Sequence, residues 1–210
     1  MSKSVFLVDD DEAIRHSASF MLRHAGYRVK TFADGETFLE ELPTLDDAGC
    51  ILLDVRMPGM DGLQVQAVMN DRGVGLPVII LTGHGEVDVA VQAMKAGAVE
   101  FLEKPYDKKT LLGAIEAAFD RLEEQSSDAK RTAEAKARLS RLTAREHEVL
   151  DCLVNGLTNK AIADALSISP RTVEIHRANV MNKLEAESLS AALRLAFTAG
   201  LGRVEKETDS

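Results

Sequence analysis

The chain has 210 residues, enough for one large domain or two small ones. Hydrophobic residues make up 45% and charged residues 28%, which excludes a disordered chain. No apolar run reaches the roughly 18 residues of a membrane-spanning helix, and the N-terminus lacks the apolar core of a signal peptide. We therefore expect a cytoplasmic protein with no membrane partner, in which Cys50 and Cys152 are buried thiols.

The formal net charge of −9 is unevenly distributed. Residues 1–125 carry 12 basic and 22 acidic residues, so this block is acidic. Residues 126–138 form a short basic segment with 4 basic and 2 acidic residues. Residues 139–210 are nearly neutral, with 9 basic and 10 acidic residues. An acidic block can simply be soluble, or it can hold clustered carboxylates for a cation. The near-neutral second block keeps nucleic-acid binding open, although the whole chain is acidic.

Strand-like and helix-like segments alternate in the first block. Short apolar runs predict strands at Val5–Val8, Arg28–Phe32, Cys50–Leu53, Pro77–Leu81 and Val99–Leu102. Helical patterns run from Ile14 to a stop at Gly26, and over Glu36–Leu42, Val87–Ala96 and Leu111–Leu122. This alternation predicts right-handed βαβ units, and hence an α/β domain with a doubly wound, five-stranded parallel sheet.

Residues 123–138 contain no large apolar residue, so they have no core face of their own. Their Ala, Glu, Lys and Arg content favours a helix. We expect a helical linker there, between a first domain at 1–122 and an all-α domain at 139–203. A disordered tail is expected at 204–210.

Polar residues follow the predicted strands. They are Asp9, Asp10 and Asp11 after the first strand, Asp54 after the third, Thr82 after the fourth and Lys104 after the fifth. In an open parallel sheet, ligands bind outside the carboxyl ends of the strands. Clustered carboxylates repel one another unless a cation lies between them, and Mg²⁺ prefers oxygen ligands. A single Asp at a strand end is more often a turn or cap residue, but this combination predicts a phosphoryl acceptor.

Three segments carry a resemblance to a known family: FLVDDDEAIR, LLDVRMPGMDGL and IILTGHGEVDVAVQAMKAGAVEFLEKP. They resemble the response-regulator receiver domain of two-component signalling, over residues 3–122. The resemblance implies that Asp54 is the phosphoacceptor and that a sensor histidine kinase is a partner. It also implies Mg²⁺ (or Mn²⁺) as the cofactor. The implied ligands are the side chains of Asp10 and Asp54, the backbone carbonyl of Arg56 and, through water, Asp9.

The same resemblance assigns the other strand-end residues. Thr82 becomes a switch hydroxyl, Lys104 pairs with the phosphate, and the bond to Pro105 is cis, a form that only X-Pro bonds adopt at tolerable cost. Phe101 stands where the family has an aromatic rotamer switch, which fills the space that Thr82 vacates. An ordinary core aromatic is the alternative for Phe101. Phosphorylation is then expected to form a homodimer through the surface near Val87 and the last strand.

Helical signals fill the second block. Thr143 and Glu146 form a capping-box pattern, Gly156 follows the end of that helix, Thr158 caps the next, and Pro170 opens a third. Two helices joined by a short turn predict a helix-turn-helix. A small helical bundle with ordinary solvated charges is the alternative.

The run SPRTVEIHRANVMNKL, within LTAREHEVLDCLVNGLTNKAIADALSISPRTVEIHRANVMNKL, resembles the LuxR-type four-helix DNA-binding domain, especially in regulators of the FixJ class. The resemblance implies that Glu174, Ile175 and Ala178 face base edges of double-stranded promoter DNA. It places Arg171, Thr172, Arg177, Asn179 and Lys183 near the backbone or bases, and Lys160 near a phosphate. Glu174 either accepts a hydrogen bond from cytosine or orients Arg177. The last helix, Ser188–Ala199, either forms a dimer contact on DNA or packs on its own domain.

Together the two resemblances imply a phosphorylation-activated transcription regulator. Phosphorylation of Asp54 pairs the receivers, and the paired DNA-binding domains bind a promoter and activate transcription, with RNA polymerase as a further partner. In the off state the receiver either masks the DNA-binding domain or leaves it unpaired. We expect no enzyme beyond help with its own phosphorylation and dephosphorylation.

Two other functions would use part of the same pattern. A Mg²⁺-dependent phosphatase of the haloacid-dehalogenase type would use Asp54 as a turnover nucleophile, but it needs a second Asp where this chain has Arg56. The second rival is a DNA-binding protein whose receiver works without phosphate. The intact acidic pair, Thr82 and Lys104 argue against this function, because they are the residues that phosphorylation requires.

Overall fold

The structure, a computed structural model, describes residues 3–42, 49–83 and 87–202. The chain divides into two compact units, Met1–Gln125 and Ser126–Ser210. The tail expected at 204–210 lies outside the described residues. Among the helices described, none combines the length and the apolar character needed to cross a membrane.

The first unit is built on a parallel sheet with the strand order β2-β1-β3-β4-β5. The strands are β1 (Ser4–Val8), β2 (Arg28–Phe32), β3 (Gly49–Asp54), β4 (Val78–Thr82) and β5 (Glu100–Glu103). The helices are α1 (Glu12–His24), α2 (Gly35–Glu41), α3 (Gly62–Asp71), α4 (Val87–Lys95) and α5 (Lys108–Leu139). The predicted α/β class with five parallel strands is confirmed.

Burial explains why the central strands are continuous apolar runs. Every residue of β1, β3 and β4 is buried, because helices cover both faces of the sheet. Side chains alternate between two cores: Phe6 and Val8 belong to one cluster, whereas Val5 and Leu7 belong to the other. The strand order changes direction between β1 and β3, which is the place where such sheets bind ligands.

Strand register sets the level of the polar residues at this edge. Val8 of β1 pairs with Leu53 of β3, so the next residue on each strand is an aspartate. Thr82 of β4 pairs with Glu103 of β5, so Lys104 follows directly. The site described below is therefore a consequence of sheet register.

Helix α3 corrects the sequence prediction, which places no helix between the third and fourth strands. Asp61 caps it: the Gln64 N–H donates to Asp61 Oδ1 at 2.8 Å, and Gln64 Oε1 accepts from the Asp61 N–H at 3.0 Å. This reciprocal pair is a capping box. The D-G-L-Q run carried that signal, with Gln in place of the more familiar Glu.

The second unit is all-helical. It contains the end of α5 together with α6 (Ala144–Val154), α7 (Asn159–Leu166), α8 (Pro170–Lys183) and α9 (Leu189–Thr198). Thr143, Thr158, Ser169 and Ser188 cap α6 to α9, each accepting a backbone N–H of the first turn. The predicted helix-turn-helix corresponds to α7 and α8.

Both cysteines are free thiols. Cys50 lies in the core, and burial raises the pKa of its thiol to about 12. Cys152 on α6 is only half-buried, so the prediction of two buried thiols is wrong for Cys152. It packs at the edge of the apolar cluster formed by α6, α7 and α8.

Candidate functional site

Three carboxylates meet at the carboxyl ends of β1 and β3. Oxygens of Asp9, Asp10 and Asp54 lie within 4.8 Å of one another. Asp9 and Asp54 are buried, whereas Asp10 is exposed. Such a cluster of hard oxygen donors, open on one side, fits a small divalent cation that retains water.

Lys104 joins two of these carboxylates. Its Nζ donates to Asp9 Oδ2 at 2.8 Å and lies 2.9 Å from Asp54 Oδ1. Burial raises the pKa of Asp54, and the charges of Asp9 and Asp10 raise it further, against the opposing effect of Lys104. Burial alone would lower the pKa of Lys104, but its hydrogen bonds to the two carboxylates raise it. Lys104 is thus held as a cation beside Asp54.

Each side-chain oxygen of Asp9 already accepts one hydrogen bond. Its Oδ2 accepts from Lys104, and its Oδ1 accepts the Asp11 N–H at 2.9 Å. The backbone carbonyl of Asp9 also accepts from Arg15 Nη1 at 2.7 Å. This arrangement is compatible with the indirect role expected for Asp9.

Asp11 serves the helix rather than the carboxylate cluster. Its Oδ1 accepts the N–H of Ala13 at 2.8 Å and that of Ile14 at 3.3 Å, which caps α1. Arg56, whose carbonyl is the remaining expected ligand, is exposed in the loop that follows β3.

Thr82 and Phe101 lie on adjacent strands. Thr82 is buried, and its Oγ1 donates to the carbonyl of Gly83 at 3.3 Å. Phe101 pairs in register with Ile80, two residues before Thr82. Its ring is 42% exposed, so the alternative of an ordinary core aromatic is wrong. The peptide bond between Lys104 and Pro105 is cis.

Apolar side chains stand exposed on two parts of the first unit. Val91 and Met94 on α4 are 47% and 41% exposed. Helix α4 packs against β5, the strand that carries the exposed Phe101. Phe20 on α1 is 71% exposed. The sequence analysis assigned no role to Phe20.

Helix α8 turns one face inward and the other to solvent. Val173 and Val180 are fully buried or nearly so, because they pack in the two apolar clusters of the unit. The opposite positions are the expected DNA contacts. Arg171, Glu174, Ile175, Ala178 and Asn179 are exposed, Thr172 is intermediate, and Lys160 on α7 is exposed.

Two of the expected DNA-contacting cations have protein partners. The Arg177 guanidinium donates to Asn159 Oδ1 at the start of α7. Lys183 Nζ donates to Glu146 Oε2 at 2.6 Å, and Glu146 is buried. Neither contact was predicted, since each joins different helices. The partner found for Arg177 is Asn159, not Glu174.

Helix α9 packs on its own unit through one face. Ala192 and Ala196 are buried in the core of their own unit, as the packing alternative predicts. Leu189 and Phe197 remain 37% and 48% exposed. The alternative of a dimer contact on DNA stays a prediction.

Comparison with known proteins finds two families, one matching each of the two units. The family described as "Response regulator receiver domain" matches residues 5–116, and "Bacterial regulatory proteins, luxR family" matches residues 140–196. The chain is 45% identical over 207 residues to the transcriptional regulatory protein FixJ of Azorhizobium caulinodans, covering 99% of this chain and 98% of the relative.

Solved structures show the same likeness over nearly the whole chain. The response regulator StyR matches with a TM-score of 0.76 and 40% identity, covering 94% of this chain and 99% of the other. Full-length FixJ from B. japonicum matches with a TM-score of 0.61 and 44% identity, covering 95% of this chain and 98% of the other.

Proposed function

Since the chain belongs to the FixJ class of response regulators, in which a receiver domain is joined to a LuxR-type DNA-binding domain, we propose that phosphorylation of Asp54 controls its binding to promoter DNA. The receiver spans 1–122, the helical linker 123–138 and the DNA-binding domain 139–203. The observation that carries the proposal is Lys104 Nζ, 2.9 Å from Asp54 Oδ1, beside the buried Asp9.

The phosphodonor is a phosphohistidine of a sensor histidine kinase. A carboxylate oxygen of Asp54 attacks the phosphorus, the P–N bond breaks, and the imidazole takes a proton from solvent. Lys104 offsets the charge of the equatorial oxygens, and Thr82 donates a hydrogen bond to one of them. A bound Mg²⁺ (or Mn²⁺) ion, held by Asp10, Asp54 and the Arg56 carbonyl, would lower the repulsion between carboxylate and phosphate. Hydrolysis returns the carboxylate and inorganic phosphate, so the chain assists its own turnover without being a general phosphatase.

Phosphorylation biases a two-state element. As Thr82 moves towards the phosphate, Phe101 turns inward, and the surface of Val91 and Met94 is reshaped. The receivers then pair through this surface into a homodimer. Pairing brings together two α8 helices and doubles the phosphate contacts, which raises DNA affinity steeply.

Helix α8 enters the major groove. Its exposed Glu174, Ile175 and Ala178 read base edges, while Arg171 and Lys160 fix the register on the phosphate backbone. RNA polymerase recruited by the bound dimer gives activation of transcription.

Asp54 is tested by incubating the full chain with Mg²⁺ and acetyl phosphate and separating the products on phosphate-affinity gels. We expect a shifted, acid-stable and alkali-labile band in the wild type that is lost in Asp54→Asn. Asp71→Asn removes an exposed carboxylate from the end of α3 and should shift as the wild type does. A shift that survives in Asp54→Asn overturns the assignment.

DNA reading is tested by selecting duplexes from a randomised pool with the phosphorylated chain. Ile175→Ala should lose affinity for the selected duplex but not for a scrambled one. Arg171→Ala should weaken both and reduce the salt slope by about one phosphate contact. Equal behaviour of the two variants would contradict the assignment of a base-reading face.

A further inference from the structure

The basic segment, residues 126–138, ends in a contact with α8, the helix proposed to read DNA. Helix α5 continues to Leu139, and Ala135 and Leu139 near its end are buried. Leu139 and Leu142 share an apolar cluster with Leu184, the residue that ends α8. The last turn of α5 therefore packs beside the C-terminal end of the helix proposed to read DNA.

Two arginines fasten this contact. Arg138 Nη1 donates to the Leu184 carbonyl at 3.2 Å, and its Nη2 lies 3.9 Å from Glu185 Oε2. Arg141 Nη1 donates to Glu185 Oε1 at 2.7 Å. We call Arg138, Arg141, Leu184 and Glu185 the arginine clamp.

The chemistry of a helix end explains why arginine is suited to this place. The last carbonyls of a helix lack intrahelical partners, and the negative end of the helix dipole favours a cation. Arg138 supplies both a donor and a positive charge at Leu184. Guanidinium presents N–H groups on separate nitrogens of a fixed planar fork, so Nη1 of Arg138 reaches the carbonyl while Nη2 approaches the carboxylate. The single ammonium group of lysine does not reproduce that geometry.

Glu185 adds a second observation. It leaves α8 with φ 54°, in the left-handed region that favours glycine. A residue other than glycine is held there at a cost when its surroundings fix it. Its carboxylate faces both arginines, so the clamp gives a reason for a charged residue at a position where glycine or asparagine would be easier.

The C-terminal end of α5 also contacts α6. His147 on α6 lies with its Nε2 3.0 Å from the carbonyl of Leu139. The end of α5 is thus fixed to α6 by one bond and to α8 by the clamp. Unwinding of residues 126–139 would displace Arg138 and so break its contacts with Leu184 and Glu185.

We propose that Arg138 and Arg141 are positioning residues for the recognition helix, and that they make DNA binding depend on the helical state of the linker. This rests on the proposed role of α8 in reading DNA. Surface ion pairs contribute little to stability, so the effect is expected on the orientation of α8 more than on unfolding. Direct contact of the two arginines with DNA phosphates is the competing explanation.

The experiment uses the full chain, phosphorylated with acetyl phosphate, and a fluorescent duplex selected from a randomised pool. Affinity is measured by anisotropy against salt for Arg138→Gln, Arg138→Lys and Glu185→Asn. Asn tolerates the left-handed backbone, so Glu185→Asn removes the carboxylate that faces Arg138 and Arg141 without disturbing the helix end. Arg131→Gln is the matched control, because Arg131 lies in the same segment and forms an exposed ion pair with Asp128 at 3.6 Å.

We expect Arg138→Gln and Glu185→Asn to lose roughly threefold to tenfold in affinity for the selected duplex, the range of mutations that act at a distance. The salt slope should stay unchanged and discrimination against a scrambled duplex should fall. Arg138→Lys should not restore binding, and Arg131→Gln should bind as the wild type does. The melting temperature should change little in all four.

Three results would overturn the inference. A reduced salt slope in Arg138→Gln with wild-type binding by Glu185→Asn would show direct phosphate contact. Wild-type affinity in both would show that the clamp has no part in binding. Loss of affinity together with a large fall in melting temperature in both would show a purely structural role. If Arg171→Ala and Ile175→Ala also bind normally, the proposed DNA-reading face fails, which is a separate outcome.

Discussion

Gly62 lies against the main chain of Asp54 so closely that a Cβ at position 62 would be 2.3 Å from the Asp54 carbonyl oxygen. It would also be 3.0 Å from Val55 Cα, and the Gly62 N–H donates to the Val55 carbonyl at 2.9 Å. The first turn of α3 is therefore packed directly on the segment that carries the proposed phosphoacceptor. Only glycine fits there without moving that segment.

Gly62→Ala should slow phosphorylation of Asp54, because the added methyl group has to displace backbone rather than a flexible side chain. We expect a loss of about 1–3 kcal/mol in stability as well, as for other overpacked sites. Gly113→Ala is the control: a Cβ there meets nothing within 4 Å, and alanine is favoured in a helix by roughly 0.5–1 kcal/mol. Phosphorylation rates on phosphate-affinity gels compare the two. Equal phosphorylation rates in Gly62→Ala and Gly113→Ala would show that the backbone at Asp54 and Val55 can move to accommodate the methyl group.

Lys104→Met should destabilise the first unit, since it leaves the carboxylates of Asp9 and Asp54 buried without a cation. Removing one partner of a buried pair costs up to about 3–5 kcal/mol, less here because Lys104 is 20% exposed. A divalent cation should offset part of the loss, so added Mg²⁺ should raise the melting temperature more in Lys104→Met than in the wild type. Lys95→Met, at an exposed position on α4, should show neither effect. Identical Mg²⁺ responses in Lys104→Met and the wild type would argue against cation binding at this cluster.

Glu146→Gln should destabilise the second unit in a pH-dependent way. Hydrogen bonds from Lys183 and from the Thr143 N–H lower the pKa of Glu146 to about 2 from an ordinary 4.5. A carboxyl group with a depressed pKa stabilises the fold above its unfolded pKa and loses that contribution as pH falls through the folded value. The stability gap between wild type and variant should thus be constant above about pH 5 and shrink between about pH 4.5 and 2.

Hydrogen exchange of α6 amides measures that gap. We expect about 1–2 kcal/mol at neutral pH, the contribution of a charge-assisted hydrogen bond. Glu148→Gln on the same helix, where the side chain is 50% exposed and pairs with Arg145, should change little at any pH. A gap that persists unchanged to acid pH would show that packing, not charge, holds Glu146.

Phe101→Ala should leave the receiver folded but impair pairing after phosphorylation. The ring is 42% exposed, so its removal costs little core packing, whereas the proposed pairing surface with Val91 and Met94 loses its aromatic member. Sedimentation of the acetyl-phosphate-treated chain measures dimer formation. Phe20→Ala, which removes a ring that is 71% exposed on α1, should dimerise normally. If both variants pair like the wild type, another surface carries the dimer.

The sheet was predictable because its signals are local. β1, β3 and β4 are fully buried runs, and each leads into or ends in a polar residue, so strand and site could be found together. The helix starts signalled by Thr143, Thr158 and Pro170 were equally predictable, since each signal acts within one helical turn. Helix α3 was not predicted because its sequence is only weakly amphipathic. Polar Gln64 and Gln66 lie among its apolar residues, so no clear apolar face is visible in the sequence.

The contacts that sequence reasoning could not supply are those between distant residues. Lys183 meets Glu146 across 37 positions, and Arg138 meets Leu184 across 46. A lysine or arginine on a helix gives the same pattern whether it faces solvent, DNA or another helix. The packing of the helices determines which of these a side chain faces. Lys183, for example, pairs with the buried carboxylate of Glu146.

The three consecutive aspartates after β1 have separate surroundings. Asp9 is buried against Lys104, Asp10 is exposed within the carboxylate cluster, and Asp11 caps α1. Their chemistry is identical, so position alone distinguishes them. Insertion or deletion of one residue at the end of β1 would move each aspartate into its neighbour's place while leaving the composition of the segment almost unchanged. In a related chain, the aspartate that matters is therefore found by counting from the last residue of the strand, not by counting acidic residues.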